Sequence, residues 1–575
     1  MPLRVFREFF RSVPALRIDE PYGAHEVFAR VSETRPSVLV ASLLAMSFMV
    51  GGIGHAQGQS PTPTFTFVPP AGGGASDRFG SSLASHEGTV VIGSPQRPMT
   101  IGGATNLAQG AAAIYRPGGP GYILEANLVA LSGHANDFLG AAVDIVGDLV
   151  VAGAPGVDVV VDSLPLPNQL QAGGVFAWQS VGGTWSSPVL LKHPDPRSND
   201  LFGSAVAAYK EVFGNGLTRH TLAIGASTDD HPLLTGGSRL DAGSVTVWEF
   251  EMGAWTSTAF IAMPAIAPES ESSTAGALFG TSIRIDGKFL IVGAKRASPS
   301  TTSQGAVYVF RRSPKNDPAP DPIQSHPSWG DWVLVQRLTA DAPEANDQFG
   351  TSIDAQQGRI IVGAPNRRAG SMLNAGAAYI YSRNLETEDY EWQASLIAAD
   401  AQSGNLFGAS VSIWSDRAAV GSPGVDAGTG GSQIPNRGSV YLYSVDEVRC
   451  AEWTQNTEYA PPLIAETPEA NFGTAVRIEA ERLFVTAPRA PGPNGTQQGS
   501  AFEFAIDTLG CAWDLNGDGL VDGVDLSLFF SHWGGSGPDD AVADYDGSLM
   551  VDGFDLVYCL GHWGPCQCGD QQPPP

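Results

Sequence analysis

One phrase recurs seven times along this chain and constrains its fold more than any other feature. It runs from an acidic or amide residue through a Phe-Gly pair, a short strand and a turn to an apolar strand closing on Gly-Ala-Pro or a near copy. The copies carry Asp77-Arg78-Phe79-Gly80, Asp137-Phe138-Leu139-Gly140, Asp200-Leu201-Phe202-Gly203, Ala277-Leu278-Phe279-Gly280, Asp347-Gln348-Phe349-Gly350, Asn405-Leu406-Phe407-Gly408 and Ala470-Asn471-Phe472-Gly473. Their glycines stand 58 to 77 residues apart. A unit of that length cannot bury its own apolar face, so the copies must stack on one another or close into a ring.

The fifth copy shows the grammar of one unit. Phe349-Gly350-Thr351-Ser352-Ile353 alternates as a short strand, and Gln356-Gln357-Gly358 turns the chain. Arg359 to Gly363 is β-branched and nearly all apolar, as expected of a strand covered on both faces. Gly376 to Tyr381 predicts a third strand and Tyr390 to Ile397 a fourth, before the next Phe-Gly. The third-strand signal returns at Gly110, Gly174, Gly243, Gly305, Gly438 and Gly499. Four antiparallel strands per unit and seven units predict an all-β, seven-bladed β-propeller. The last copy has no fourth strand after Phe504, whereas Thr64 to Val68 has strand character ahead of the first copy. That segment is expected to complete the last blade and seal the ring. Each Phe is expected to pack between blades, each following Gly to allow positive φ or close approach. Pro95, Pro155, Pro365, Pro423 and Pro488 are expected to stop the second strand.

Charge and the termini narrow the functional classes. A net charge of −27 argues against nucleic acid and anionic membranes, whose phosphates require a basic surface. Residues 511–575 hold eleven Asp and no Glu, Lys or Arg, which calls for a cationic counter-ion. Val38 to Val50 is apolar or small throughout, and Gly54 and Ala56 fit a signal-peptidase site, so residues 1–56 are expected to direct export; an uncleaved anchor is the alternative. No other stretch is long and apolar enough to span a bilayer, so no membrane span is expected in the mature chain. Five cysteines remain, Cys450, Cys511, Cys559, Cys566 and Cys568. Cys511 with Cys566 or Cys568, or Cys450 with Cys511, are the candidate pairs.

The repeat resembles the FG-GAP family, the units of the seven-bladed head of integrin α-subunits and of many bacterial surface proteins. The resemblance covers about residues 62–506 and all seven copies, within a propeller domain expected over residues 57–506. Members often carry an Asp-x-Asp-x-Asp-Gly calcium loop after the Gly-Ala-Pro. Here Gly156-Val157-Asp158, Ser227 to Asp230 and Gly424 to Gly428 stand there without alternating oxygen ligands. The propeller is therefore expected to be largely free of metal.

The tail, residues 511–568, carries the most specific chemistry. From Asp514, oxygen ligands fall at Asp514, Asn516, Asp518, Asp522 and Asp525, with Gly519 at the sharp bend and the Leu520 carbonyl next, the spacing of a calcium loop. Leu526 to Trp533 then predicts a short helix stopped by Gly534. A second loop follows with Asp544, Asp546, Ser548, Met550 (through its carbonyl), Asp552 and Asp555. Ser548 replaces a carboxylate and Leu549 the bend glycine, so weaker binding is expected there. Two such loops 30 residues apart, each followed by a helix ending in His-Trp-Gly, resemble a small α-helical dockerin domain with paired F-hands. The resemblance implies calcium and a cohesin-like partner. Gly523-Val524 and Gly553-Phe554 stand where dockerins usually place Ser/Thr recognition pairs, so the fold and calcium carry over while the partner does not. Residues 569–575 read as a disordered tail.

Three functions fit these residues. The first is an exported, non-catalytic interaction or adhesion protein, with the propeller as a platform for a protein or glycan and the tail for attachment or assembly. A purely structural surface adhesin differs mainly in needing no specific partner. The alternative from another class is a secreted polysaccharide-degrading enzyme or subunit. No nucleophile elbow, zinc helix or phosphate loop supports catalysis. The scattered histidines, His220 and His326 among them, are expected to be satisfied surface or rim residues. Trp178, Trp248, Trp329, Trp332 and Trp392 are sugar-stacking candidates; all but Trp329, which lies just ahead of one, fall within predicted strands, so packing is the first expectation.

Overall fold

The computed structural model describes residues 61–506 except 161–168, 213–217, 233–237, 252, 267–273, 314–330, 428–433, 446–452, 463–464 and 493–494. It also describes 520–521, 523–535, 543, 551, 556 and 564–565. Residues 1–60 and all five cysteines lie outside the described residues.

Seven four-stranded antiparallel blades follow in chain order. In blade 1, Ser82–His86, Thr89–Ser94, Ala111–Gly118 and Gly121–Leu128 run from inner to outer edge. Blade 5 repeats this with Ser352–Gln356, Arg359–Ala364, Ala377–Arg383 and Tyr390–Leu396. Blades 3, 4 and 6 share that order, and blade 2 splits its outer strand into Thr184–Trp185 and Val189–Leu191. The second strands need apolar residues because both faces are covered: Leu149–Ala154 is buried throughout. The outer strands alternate instead, as Trp453–Tyr459 does, with one face toward solvent. Second strands end at Ser94, Ala154, Ala364, Ser422 and Ala487, each directly before its proline.

The Phe-Gly pair is a turn ahead of the inner strand in most copies, rather than the strand's beginning. In blade 5 the strand starts at Ser352, because Gln348 (φ 56°) and Gly350 (φ 87°) break the extended run around Phe349. Copy two exchanges its members: Leu139 is fully buried, and Phe138 takes the left-handed position at φ 57°. The buried ring elsewhere lies in a core shared by two blades. Phe349 packs with Val307 and Val309 of blade 4 and with Ile360, Val362 and Tyr379 of blade 5.

Backbone pairing carries the chain from one blade to the next. Gly173, Gly243, Gly305, Gly376 and Gly438, each just ahead of a third strand, form parallel bridges to Phe202, Phe279, Phe349, Phe407 and Phe472 of the following blade, and Gly110 does so to Leu139. At a second level, the Ser82, Ser282, Ser352 and Ser410 hydroxyls each donate to the carbonyl of the next blade's Phe-Gly (or Leu-Gly) glycine at 2.8 Å.

Closure obeys the same rule. Phe65–Phe67 pairs antiparallel with Ser500–Ala505 (Phe65 with Glu503, Thr66 with Phe502, Phe67 with Ala501) and supplies the outer strand of blade 7. Phe79 N–H then donates to the Gln498 carbonyl at 2.8 Å, beside Gly499. Phe67, Tyr115, Tyr122 and Phe484 form an aromatic cluster across this join. Glu503 accepts from Thr64 Oγ1 at 3.0 Å and from the Tyr122 hydroxyl at 2.9 Å.

Candidate functional site

The loops between second and third strands lie with the Phe-Gly turns, and their lengths run from 11 residues in blade 4 (295–305) to 19 in blade 2 (155–173). A shared skeleton disciplines them. The third residue after each second strand donates its N–H back to that strand's last carbonyl, as Val157, Asp229, Ala297, Arg367 and Val425 do. Its own carbonyl accepts from the glycine that opens the third strand. Aspartates in three of these loops cap a residue of positive φ. Asp158 Oδ1 accepts from Gln171 N–H at 2.9 Å, Asp230 Oδ1 from Asp241 at 2.8 Å and Asp426 Oδ1 from Asn436 at 2.8 Å. These are the places where the family's calcium loops would stand, and here the carboxylates hold backbone.

The acid of the Phe-Gly motif is buried and has a single repeated task. Asp77, Asp137, Asp200 and Asp347 each accept the N–H of the residue three positions earlier, at 2.6–2.7 Å. Burial pushes all four carboxyls above the usual range. In blades 1 and 5 a guanidinium three residues past the second strand offsets this, Arg97 standing 3.9 Å from Asp77 and Arg367 2.8 Å from Asp347.

Blade 3 breaks that pattern. Asp229 occupies the place of Arg97 and Arg367, so an acid replaces the guanidinium of that position and only Arg197 favours the charged form of Asp200 from its side chain. Burial, with added repulsion from Asp229 and Asp230, pushes Asp200 up to about 7. His193 stands ten residues before its Phe-Gly glycine, where blades 2, 5 and 6 place the buried Ala130, Ala340 and Ala398. The imidazole is only 4% exposed. Its Nδ1 lies 2.8 Å from the Asp195 carbonyl, and its Nε2 lies 3.7 Å from Asp229 Oδ2, with no hydrogen-bond partner among the described residues.

Beside these residues lies a cavity of about 360 Å³ lined by His193, Pro194, Asp195, Arg197, Asp229, Asp230, Arg239 and Phe260. Arg197 is held by the Asp230 carbonyl at 2.7 Å and the Asp195 carboxylate at 2.9 Å. Arg239 Nη1 donates to the Met263 carbonyl at 3.1 Å. Phe260, half exposed, meets the His193 ring edge-on at 5.6 Å. Sequence reasoning missed this cavity. Its signal was a departure from the repeat, a histidine in an alanine position and an acid in an arginine or apolar one, rather than a motif.

A second charged cluster joins inner strands. Asp354 of blade 5 receives Arg284 Nε of blade 4 at 2.9 Å, Arg477 Nη1 of blade 7 at 3.0 Å and Ser412 Oγ of blade 6 at 2.8 Å. Burial opposes ionisation, but the two guanidinium groups hold this carboxyl below its usual range. It ties four blades together.

Other sequence candidates separate by burial. Trp178 is buried, Trp248 and Trp332 are partly buried, Trp392 is half exposed, and Trp329 lies outside the described residues. His220 corrects the expectation of a surface or rim residue. It is 2% exposed inside blade 3, its Nε2 lying 3.1 Å from Asp148 Oδ1, because the long strands Ala205–Val212 and Thr218–Ala226 cover it. His326 lies outside the described residues.

Of the tail's calcium-ligand candidates, Asp514, Asn516, Asp518, Asp522, Asp544, Asp546, Ser548, Met550, Asp552 and Asp555 lie outside the described residues. Leu520–Val521 pairs with Gly564–Pro565, Val521 opposite Gly564. Val551 N–H donates to the Gly535 carbonyl at 3.0 Å, and Gly534 N–H to Val551 at 2.8 Å. Shifting Val521 by 30 gives Val551, and shifting Gly564 back by 30 gives Gly534, so the two contacts are reciprocal. Asp525 is fully buried in the first turn of the helix Gly523–Ser531. No group of three or more metal-ligating side chains occurs among the described residues, and no helix there is long and apolar enough to cross a membrane.

Comparison with known proteins places the repeat. The family model described as FG-GAP repeat matches residues 271–310, 332–381 and 390–443. No curated protein matches the chain. Among solved structures, the crystal structure of Saccharomyces cerevisiae Sqt1 is 10% identical, with 78% of this chain and 100% of that one covered and a TM-score of 0.37, too low to carry an argument. With four strands per blade, seven blades and the FG-GAP family matches, the chain carries FG-GAP repeats built into a seven-bladed β-propeller.

Proposed function

We propose that this is an exported, non-catalytic interaction or adhesion protein whose propeller presents loops to a protein or glycan partner, while the tail attaches it to an assembly or envelope. The observation that carries this is the contrast within one repeat. The skeleton is held by backbone bonds repeated blade after blade, yet the loops it projects differ in length and residues. Rigid scaffolds with variable loops on one face are built for recognition. FG-GAP propellers are often extracellular, which agrees with the leader read in residues 1–56.

Calcium in the tail belongs to the same proposal. Asp514, Asn516, Asp518, Leu520, Asp522 and Asp525 would hold one ion, and Asp544, Asp546, Ser548, Met550, Asp552 and Asp555 a second, weaker one. The ion would offset the repulsion of crowded carboxylates and supply folding energy to a domain too small to be stable alone. A cohesin-like domain is the partner class such a tail would dock, with recognition residues of its own at Gly523-Val524 and Gly553-Phe554.

Binding of the full chain to arrayed glycans and to isolated envelope proteins, with and without calcium, tests the proposal. Saturable binding without release of reducing sugar is the expected result. Sugar release from a polysaccharide panel would instead establish the enzyme reading.

A further inference from the structure

We infer that the blade 3 cavity is a sugar-binding site that takes an uncharged pyranose unit of a glycan; this rests on the platform reading above and names its ligand class. Repeat architecture supplies the first argument. His193 occupies a position that other blades fill with the buried Ala130, Ala340 and Ala398, and Asp229 one that they fill with Arg97, Arg367, Val157, Ala297 or Val425. A buried imidazole in an apolar repeat position costs stability unless it is used. The imidazole Nε2, 4% exposed as a residue and without a hydrogen-bond partner among the described residues, lines the cavity, as does the Arg239 side chain, whose Nε is likewise unbonded.

The lining chemistry supplies the second argument. Arg197 and Arg239 face Asp195, Asp229 and Asp230, so the walls nearly balance in charge and favour neither a strong anion nor a strong cation. A pyranose ring has an apolar C–H face and a rim of hydroxyls, each both donor and acceptor. Phe260 and Pro194 offer the apolar wall, and carboxylate, imidazole and guanidinium groups offer both acceptors and donors for hydroxyls. A volume of about 360 Å³ lies at the small end of the usual range for ligand sites and suits one or two sugar rings.

The test uses the full chain on an array of neutral and acidic glycans, with titration of methyl glycosides of any sugar that scores and a lysine-rich peptide as the cationic competitor. His193→Ala restores the residue of the other blades and is expected to fold with an unchanged or higher thermal midpoint. It and Phe260→Ala are expected to weaken binding of a neutral glycan by roughly five- to tenfold or more, while Leu385→Ala, altering an exposed side chain on blade 5, leaves it unchanged. Neutral-glycan binding that both cavity variants retain would overturn the site and leave the platform standing. Binding of the peptide alone, lost in the same variants, would overturn the ligand class. Binding of no glycan and no protein would sink both this inference and the platform reading.

Discussion

Gly376 and its counterparts ahead of the other third strands set the distance between blades. Its φ is +91°, and an added Cβ would stand 2.0 Å from the Phe407 carbonyl oxygen and 2.5 Å from its nitrogen. Neither backbone atom can withdraw without breaking the bridge. Gly376→Ala should therefore cost about 2–4 kcal/mol, through left-handed strain plus the clash, and lower the thermal midpoint read by calorimetry. Gly370, also at positive φ (+60°) but with open space around it, should tolerate alanine far better. Asp200 gives a pH-dependent test. Its folded pKa, about 7, lies above the ordinary 3.8, so between these values the folded state binds more protons than the unfolded one. Stability is therefore lost as pH rises from about 4 to 7 and is level above. Asp200→Asn keeps an acceptor for Arg197 N–H without the charge. The variant should gain on the native protein between pH 5 and pH 8 when their midpoints are compared, and an equal difference at both pH values would refute the assignment.

At the scale of elements, the strand Phe65–Phe67 contributes most for its length. Phe67 is 1% exposed and contacts Tyr115, Tyr122 and Phe484, so Phe67→Ala should cost about 3–5 kcal/mol. Truncating a half-exposed aromatic on an outer strand, as in Trp392→Ala, should cost under about 1 kcal/mol. The tail makes a separate prediction. If calcium supplies its folding energy, chelation should remove helical signal and expose residues 511–568 to protease while the propeller's own transition stays in place. Asp525→Ala should raise the calcium concentration needed for protection about tenfold or more, and a protease pattern indifferent to calcium would exclude metal-driven folding.

For the whole molecule, strand order and ring closure were legible in the sequence because both rest on short local rules. Phe-Gly, the β-branched run and the proline stop repeat within each unit, and a lone strand ahead of the first copy has only the incomplete last blade to pair with. The turn at Phe349 and the exchanged Phe138-Leu139 pair were harder to read, since φ at a single residue decides them. The blade 3 cavity was invisible for a different reason. His193, Asp229, Arg239 and Phe260 are spread over 68 residues and converge only when strands from two blades are folded together. Hydrogen exchange read by mass spectrometry tests closure most directly. Peptides covering residues 62–69 and 498–506 should share one slow, cooperative opening, slower than the surface loops. Exchange of 62–69 at the rate of an unstructured peptide, with 498–506 still protected, would contradict a ring sealed by that strand.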